Sequence, residues 1–468
     1  MNKNLLILFC LFSLMQVSRA QDPIFGEPQH STLSADSLSD VVGLIPESLD
    51  ANVDSLLHSW HVQYFSKVDE YCHDDAENVY FPDSVYEERL ERLPSVIRLP
   101  YNEVVRDCID LYAGRKRDLV RYMLGMADFY FPIIDKHNLP LELKYLAVVE
   151  SALNPVALSR VGACGLWQFM LPTGKIYGLE INSLLDERRD PEKATEAACK
   201  YFEDMYAIYG DWNLVLASYN CGPGNVNKAI RRSGGKTDFW EIFRYLPRET
   251  RSYVPLFIAA NYIMNYYCDH NICPMQTSLP LATDTVMVNS MLHLQQVSDV
   301  LGIDIEQLRA LNPQYKRDII PGNTEPSVLK LPASQTYAFV DKEDSVYTHR
   351  IEELLANCIP VNAADGSKNL TLEKITHVVA SGENIYTIAN RYGVTPKDIR
   401  KWNGLGSNRV AKGRRLRLHV DNGGVAFASV KTKKTEKDGA VNQLDYLVSE
   451  CERAGQKMYL FIDEYDHF

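Results

Sequence analysis

Glu150 is the residue in this chain best placed for acid–base chemistry. It lies in the run Leu139-Pro140-Leu141-Glu142-Leu143-Lys144-Tyr145-Leu146-Ala147-Val148-Val149-Glu150-Ser151. Leu143, Leu146, Ala147 and Glu150 follow i, i+3, i+4, i+7 spacing, which sets a carboxylate on the apolar stripe of a helix. An unpaired carboxylate is costly to bury and tends to take up a proton instead. The C-terminal end of a helix adds the same bias, because its dipole is negative there. A carboxyl group that stays protonated near neutral pH is what a general acid requires. The competing reading is a structural glutamate paired with a Lys or Arg from another element.

Four clusters follow in order: Ser159 leading into Gly162-Ala163-Cys164-Gly165-Leu166-Trp167-Gln168-Phe169-Met170; Asp186-Glu187-Arg188-Arg189-Asp190-Pro191; Ser218-Tyr219-Asn220-Cys221-Gly222-Pro223-Gly224; and Glu249-Thr250-Arg251-Ser252-Tyr253-Val254-Pro255. Gln and Asn carry both donors and acceptors, which suits sugar hydroxyls and N-acetyl groups, and Tyr offers a stacking face with a polar tip. Trp167 and Met170 fit core and groove equally well, and Glu249 fits either a site or an ion pair. The group Asp186, Glu187 and Asp190, beside Arg188 and Arg189, reads as a helix start with ion pairs rather than a second catalytic acid. No C-x-x-C pair occurs, so neither a metal nor a cofactor is expected.

The elements that must position these residues are helical. Pro140 suits the first turn of the Glu150 helix and Asn154-Pro155 stops it. Residues 102–135 show long helical periodicity, and Pro191–Tyr209 (with Asp190 as N-cap), Asp211–Asn220 and Tyr253–Tyr267 read as further helices. Strand signals are scarce before Pro274, so this part is mainly α. After it come two short units. Leu301-Gly302-Ile303 aligns with Tyr392-Gly393-Val394, and Leu311-Asn312 with Trp402-Asn403, which makes an internal repeat with a degenerate first copy.

The net charge of −12 over 468 residues argues against nucleic acid as a partner. Residues 375–420 depart from that average with nine cations and two acids, a net +7 that marks a module with its own ligand. Met1–Ala20 reads as a secretory signal: Lys3, an apolar run from Leu5 to Met15, then Ser18-Arg19-Ala20. No run is long enough for a membrane span once it is removed. Phe9 before Cys10 is bulky where a lipoprotein signal wants a small residue, which argues against lipid anchoring. Nine cysteines remain after the signal; Cys268 and Cys273 are the most plausible local disulfide. The expected divisions are 1–20 signal, 21–95 leader and helical segment, 96–275 helical domain, 284–335 first unit, 336–374 connector, 375–420 second unit and 421–468 tail, in which Met458–Ile462 has strand character.

The block Glu150-Ser151, Gly165-Leu166-Trp167-Gln168-Phe169-Met170, Tyr219-Asn220 and Glu249-Thr250 resembles the family 1 lytic transglycosylases, nearest to the D subgroup of the membrane-bound murein enzymes. The resemblance spans roughly residues 95–270. His377-Val378-Val379, Ser381-Gly382-Glu383-Asn384, Arg391-Tyr392-Gly393-Val394, Trp402-Asn403 and Lys412-Gly413 resemble a LysM module, and 288–331 a weaker copy. The resemblance implies a mainly α, lysozyme-like catalytic domain followed by small α+β (βααβ) LysM modules. It implies peptidoglycan glycan strands as substrate, N-acetylglucosamine-containing glycan as the LysM ligand, and an exported, periplasmic or envelope-associated enzyme. By matched positions it makes Glu150 the catalytic acid and then base, and gives Ser159, Gln168, Met170, Tyr219, Asn220 and Tyr253 to the substrate. The product would be a 1,6-anhydromuramic end, formed without water or metal. Cys164, Ser218 and Cys221 depart from the usual small residues, and Cys221 beside Asn220 adds an oxidation-sensitive thiol. A hydrolytic muramidase of related fold and a non-catalytic glycan-binding scaffold are the alternatives.

Overall fold

The computed structural model describes residues 62–63, 78–137, 139–323, 325–355, 358–360, 373–421 and 425–427. The signal at 1–20 with Cys10, most of the leader, and the strand read at Met458–Ile462 lie outside the described residues.

The first helix, α1 (Asp83–Arg92), starts directly after Pro82. Asn102 caps α2 (Glu103–Ala113) by accepting from the Val105 N–H at 3.1 Å. The periodic stretch expected over 102–135 is two helices, because the backbone leaves the helical region at Gly114 before α3 (Arg117–Ile134) begins. The Glu150 helix also starts later than Pro140 suggests: residues 141–143 form a 3-10 turn, and α4 is Lys144–Ser151. Its end is set by Ala152 and Leu153, both left-handed at φ 52° and 62°. After α5 (Leu171–Ile176) come α6 (Pro191–Tyr209), capped by Asp190 as the sequence predicts, and α7 (Trp212–Cys221), in which Asp211 is the N-cap rather than the first helical residue. The short helices α8 (Pro223–Arg232) and α9 (Phe239–Ile242) lead to α10 (Arg248–Tyr266). From Ser252 to Met264 α10 is buried without interruption, with α2, α4 and α7 packed along it. That burial around one central helix supplies the main core.

The strand pair β1 (Val62–Gln63) and β2 (Gln276–Thr277) closes this domain. In the first small module, β3 (Thr283–Val288) pairs antiparallel with β6 (Ser327–Pro332), and β4 (Met291–His293) pairs with β5 (Ile319–Pro321). Helices α11 (Leu294–Leu301) and α12 (Ile305–Leu311) lie between the outer strands. The connector expected from residue 336 begins later: α13 (Thr336–Asp341) and α14 (Glu343–Thr348) bury Phe339 and Val346 in this module's core, and a short α15 (Ile351–Leu354) follows. Two apolar side chains in a polar stretch were too sparse to announce that packing. Beyond it β7 (Cys358–Pro360) pairs with β10 (Val425–Phe427).

The second module is β8 (Glu373–Val378), α16 (Ile385–Tyr392), α17 (Pro396–Asn403) and β9 (Arg415–Val420), with β8 and β9 antiparallel. The repeat has a physical basis in both copies. Gly302 and Gly393 end their helices in the left-handed region at φ 69° and 65°. Asn312 and Asn403 each clamp a strand: Asn312 exchanges two 2.8 Å bonds with the Lys330 backbone, and Asn403 exchanges bonds of 2.8 and 2.7 Å with that of Arg417.

The disulfide expected between Cys268 and Cys273 is not formed. Cys268 is a free, exposed thiol, and Cys273 is bonded to a different cysteine.

Candidate active site

Two helices meet at Glu150. The acid sits on the last turn of α4, and Tyr253 on α10 donates its hydroxyl to Glu150 Oε1. The Glu150 carboxyl is hemmed in by protein while part of the side chain stays open, as a group that must meet a ligand requires. Burial pushes its pKa up to about 8; the Tyr253 hydrogen bond pulls the other way, and the negative charge of Glu249 adds to the rise. No cation bonds to it among the described residues, so the ion-paired reading of Glu150 does not hold. Tyr253 itself is raised well above its usual range by burial and by Glu150, which keeps it a neutral donor.

The loop between α4 and α5 forms one wall. Ser151 Oγ donates to the carbonyls of Ala147 (3.1 Å) and Leu166 (2.9 Å), tying that loop to the acid helix. Gly165 has φ +88°, and a Cβ there would lie 1.7 Å from the Arg188 carbonyl oxygen, so no other residue fits. Gln168 is left-handed at φ 47°, and its Nε2 donates to the carbonyls of Gly165 (2.9 Å) and Ala157 (3.2 Å). Its Oε1 is thereby fixed in direction as an acceptor. Ser159 Oγ accepts from the Ala163 N–H at 2.9 Å and keeps its own proton for donation. Trp167 is core, donating from Nε1 to Thr195 Oγ1 at 2.9 Å, whereas Met170 is exposed at the start of α5.

The opposite wall comes from α7. Tyr219 packs edge-on against Phe169 and Tyr201 and donates to the Trp167 carbonyl at 2.7 Å, close enough to Glu150 for the acid's charge to raise it. Asn220 accepts from Thr250 Oγ1 at 2.8 Å through its Oδ1, which leaves its Nδ2 donors unused among the described residues. Thr250 and Ser151 were quoted from sequence only as motif neighbours of Glu249 and Glu150, with no role given to either. Glu249 is exposed and forms no ion pair among the described residues, so it acts on the site through its charge alone. Burial pushes the Cys221 thiol up, away from the reactive thiolate.

Arg188 secures the loop between α4 and α5 from behind, through long-range bonds the sequence did not reveal. All five of its N–H donors are placed. Nε and one terminal nitrogen grip Asp186 at 2.9 and 2.7 Å, and the other terminal nitrogen donates to the carbonyls of Gly162 and Phe169, both at 3.1 Å. The fifth bond reaches Asn390 Oδ1 on α16 of the second module. Burial alone would raise Asp186, but the Arg188 bonds and charge outweigh it and hold the carboxyl below its usual range. Asp186 and Arg188 are therefore structural, in keeping with their sequence reading. Lys316 of the first module joins this junction, donating to the carbonyls of Asn390 (3.2 Å) and Arg391 (3.1 Å). Gly393 closes it, since a Cβ there would lie 2.8 Å from Asn182 Cα.

A helical domain built around one unpaired carboxyl, with two strand–helix–helix–strand modules behind it, is the layout of a glycan-cleaving enzyme with wall-binding modules. Three family models match it: the transglycosylase SLT domain over residues 134–242, the LysM-like domain of lytic transglycosylase MltD over 282–348, and the LysM domain over 377–418. The membrane-bound lytic murein transglycosylase D of Escherichia coli (strain K12) is 31% identical over 329 residues, covering 68% of this chain and 70% of that one. The soluble lytic murein transglycosylase of the same strain is 32% identical over 128 residues, 26% of this chain and 20% of its own. The crystal structure of the 70 kDa soluble lytic transglycosylase from Escherichia coli aligns at 25% identity with a TM-score of 0.29, over 37% of this chain and 29% of that one. The chain belongs to the lytic murein transglycosylases: it is a peptidoglycan lytic transglycosylase that carries LysM modules.

Proposed function

We propose that this enzyme cleaves the β-1,4 bond between N-acetylmuramic acid and N-acetylglucosamine without water, leaving 1,6-anhydromuramic ends. The observation that carries this reading is the solitude of Glu150. Most glycosidases that use water or a covalent intermediate carry two carboxylates flanking the bond. Here, among the described residues, the Glu150 carboxyl bonds only to a tyrosine, and Glu249 reaches it through charge alone. Protonated at neutral pH, Glu150 gives its proton to the bridging oxygen as the C1–O bond breaks. The substrate's own 2-acetamido group stabilises the positive charge at C1. Glu150, now ionised, takes the proton from the muramic C6 hydroxyl as that oxygen bonds to C1, which returns the acid to its starting state.

Tyr253 steadies the ionised state of Glu150, since its hydroxyl donates to the carboxylate formed in the first half. Gln168 Oε1, the Ser159 hydroxyl and Asn220 Nδ2 are the polar groups offered to the sugar, while Tyr219 and Met170 supply apolar surface. The basic second module, with the first beside it, holds N-acetylglucosamine-containing glycan. The signal-like start at residues 1–20 and the family membership support export to the cell envelope, in the periplasm or bound to it. The relative aligned over 68% of this chain is membrane-bound by name, which counts against reading Phe9 before Cys10 as excluding a lipid anchor.

The test is digestion of purified sacculi by the wild type and by Glu150→Gln. Release of soluble muropeptides is expected to fall about a thousandfold in the variant, the scale of a lost general acid, with sacculus binding kept. Equal release by both proteins would overturn the assignment.

A further inference from the structure

One concavity of about 320 Å³ lies outside the groups used above, in the corner where α8, the turn before α10 and α10 itself converge. Asn225, Lys228 and Arg232 of α8, Arg244 and Tyr245 of the turn, and Arg251 of α10 line it. Four of these six are cations and none is an acid. In a chain of net charge −12, such a gathering is the reverse of the average surface. Nor are the charges neutralised in place: among the described residues no carboxylate pairs with Lys228, Arg232, Arg244 or Arg251. Two neighbouring acids are committed elsewhere, Glu241 to Lys236 at 2.9 Å and Asp238 to Arg98 at 2.6 Å; Glu249, two residues before Arg251, pairs with none of the four cations among the described residues.

Arg251 gives the corner its shape. Its Nε donates to the Leu246 carbonyl at 3.1 Å and a terminal nitrogen to that of Arg244 at 2.8 Å, which holds the turn rigid and fixes a guanidinium at the edge of the concavity. Lys228, Arg232 and Arg244 are exposed around it. Like charges held together repel, so an arrangement of this kind is stabilised by an anion that bridges them.

The concavity is also next to the reacting centre in the chain. Asn225 Nδ2 donates to the Cys221 carbonyl at 2.8 Å, one residue from Asn220. Arg251 follows Thr250, whose hydroxyl fixes Asn220. Asn225 and Arg251 thus tie this corner to the two elements that carry Asn220 and Thr250. Muramic acid carries one long substituent, a short peptide with free carboxylates. The geometry points to this basic corner as a subsite for the carboxylates of that peptide, so that the enzyme reads the appendage as well as the glycan. This rests on the proposed cleavage at muramic acid.

The test compares two substrates in the full-length enzyme: glycan oligomers bearing stem peptides, and the same oligomers stripped of peptide by an amidase. Lys228→Gln, Arg232→Gln and Arg244→Gln are combined in one variant, sparing Arg251 for its structural bonds. The variant is expected to raise KM about tenfold for the peptide-bearing oligomer, with kcat unchanged and the stripped oligomer unaffected. The rise should shrink as salt is added. Equal change on both substrates, or on neither, overturns the subsite, with a thermal melt matching wild type showing that the variant is folded. If the wild type forms no anhydro product from either oligomer, the proposed reaction fails instead.

Discussion

Glu150 and Asp186 are both carboxyl groups withdrawn from water, and they end in opposite protonation states. Asp186 meets a bidentate guanidinium and stays ionised; Glu150 meets a tyrosine hydroxyl and holds its proton to a pKa of about 8. Burial is common to the two, so it does not decide the outcome. The neighbour does. The same contrast separates their tasks, because a carboxylate locked to Arg188 braces the loop that forms the site's wall, whereas one without a cation is free to give its proton away and take it back.

The largest effect should come from removing the cation that sets the contrast. Arg188→Leu leaves Asp186 buried and alone, and frees the carbonyls of Gly162 and Phe169. The expected loss is about 3–5 kcal/mol of stability, read by denaturant unfolding, together with weaker docking of the second module. Glu150→Gln should behave oppositely. The folded pKa of Glu150 is raised, so its favourable contribution is fully present below its unfolded value of 4.5 and is lost as pH rises through about 8. At pH 9 the variant should therefore melt about 2–4 °C above wild type, and at pH 4 no higher. If both substitutions destabilise alike at pH 9, the distinction between the two carboxyl groups collapses.

Tyr253→Phe sharpens the comparison from within the site. The tyrosine bond lowers the Glu150 pKa, so its loss should carry the alkaline fall in kcat/KM, expected near pH 8, further upward. The rate should drop about tenfold because the ionised intermediate state loses its donor. An alkaline limb that moved down would contradict the assigned bond. The smallest effect concerns Lys316, which burial and two arginines push down to about 7. A lysine so depressed contributes stability that is present above its unfolded value of 10.5 and lost as pH falls through about 7. Hydrogen-exchange protection of residues 385–394 should therefore be weaker at pH 6 than at pH 9 in wild type, by less than about 1 kcal/mol, and independent of pH in Lys316→Met.

What the sequence disclosed of this picture depended on range along the chain. The stripe Leu143, Leu146, Ala147 and Glu150 was readable because one helix carries it, and the cap Asp190 because a cap acts within three residues. The paired clamps of Asn312 and Asn403 left their trace as a repeat. Of the five bonds of Arg188, the two to Asp186 were readable as a local ion pair, whereas the other three left no trace, because they reach carbonyls 19 and 26 residues away and an amide 202 residues away. Thr250 stood in a motif block without a role for a different reason: a threonine that only orients Asn220 looks like any buried hydroxyl. The break at Gly114 and the helices at 336–348 were hidden because tertiary packing overrides weak local signals there.

The central claim is that one acid does both halves of the reaction and that water does neither. Digesting sacculi in water enriched in oxygen-18 tests it directly, with the muropeptides weighed by mass spectrometry. The account predicts products lighter than the hydrolytic ones by one water and carrying no label, whereas oxygen-18 at reducing muramic ends would show that water attacks C1 and would contradict it.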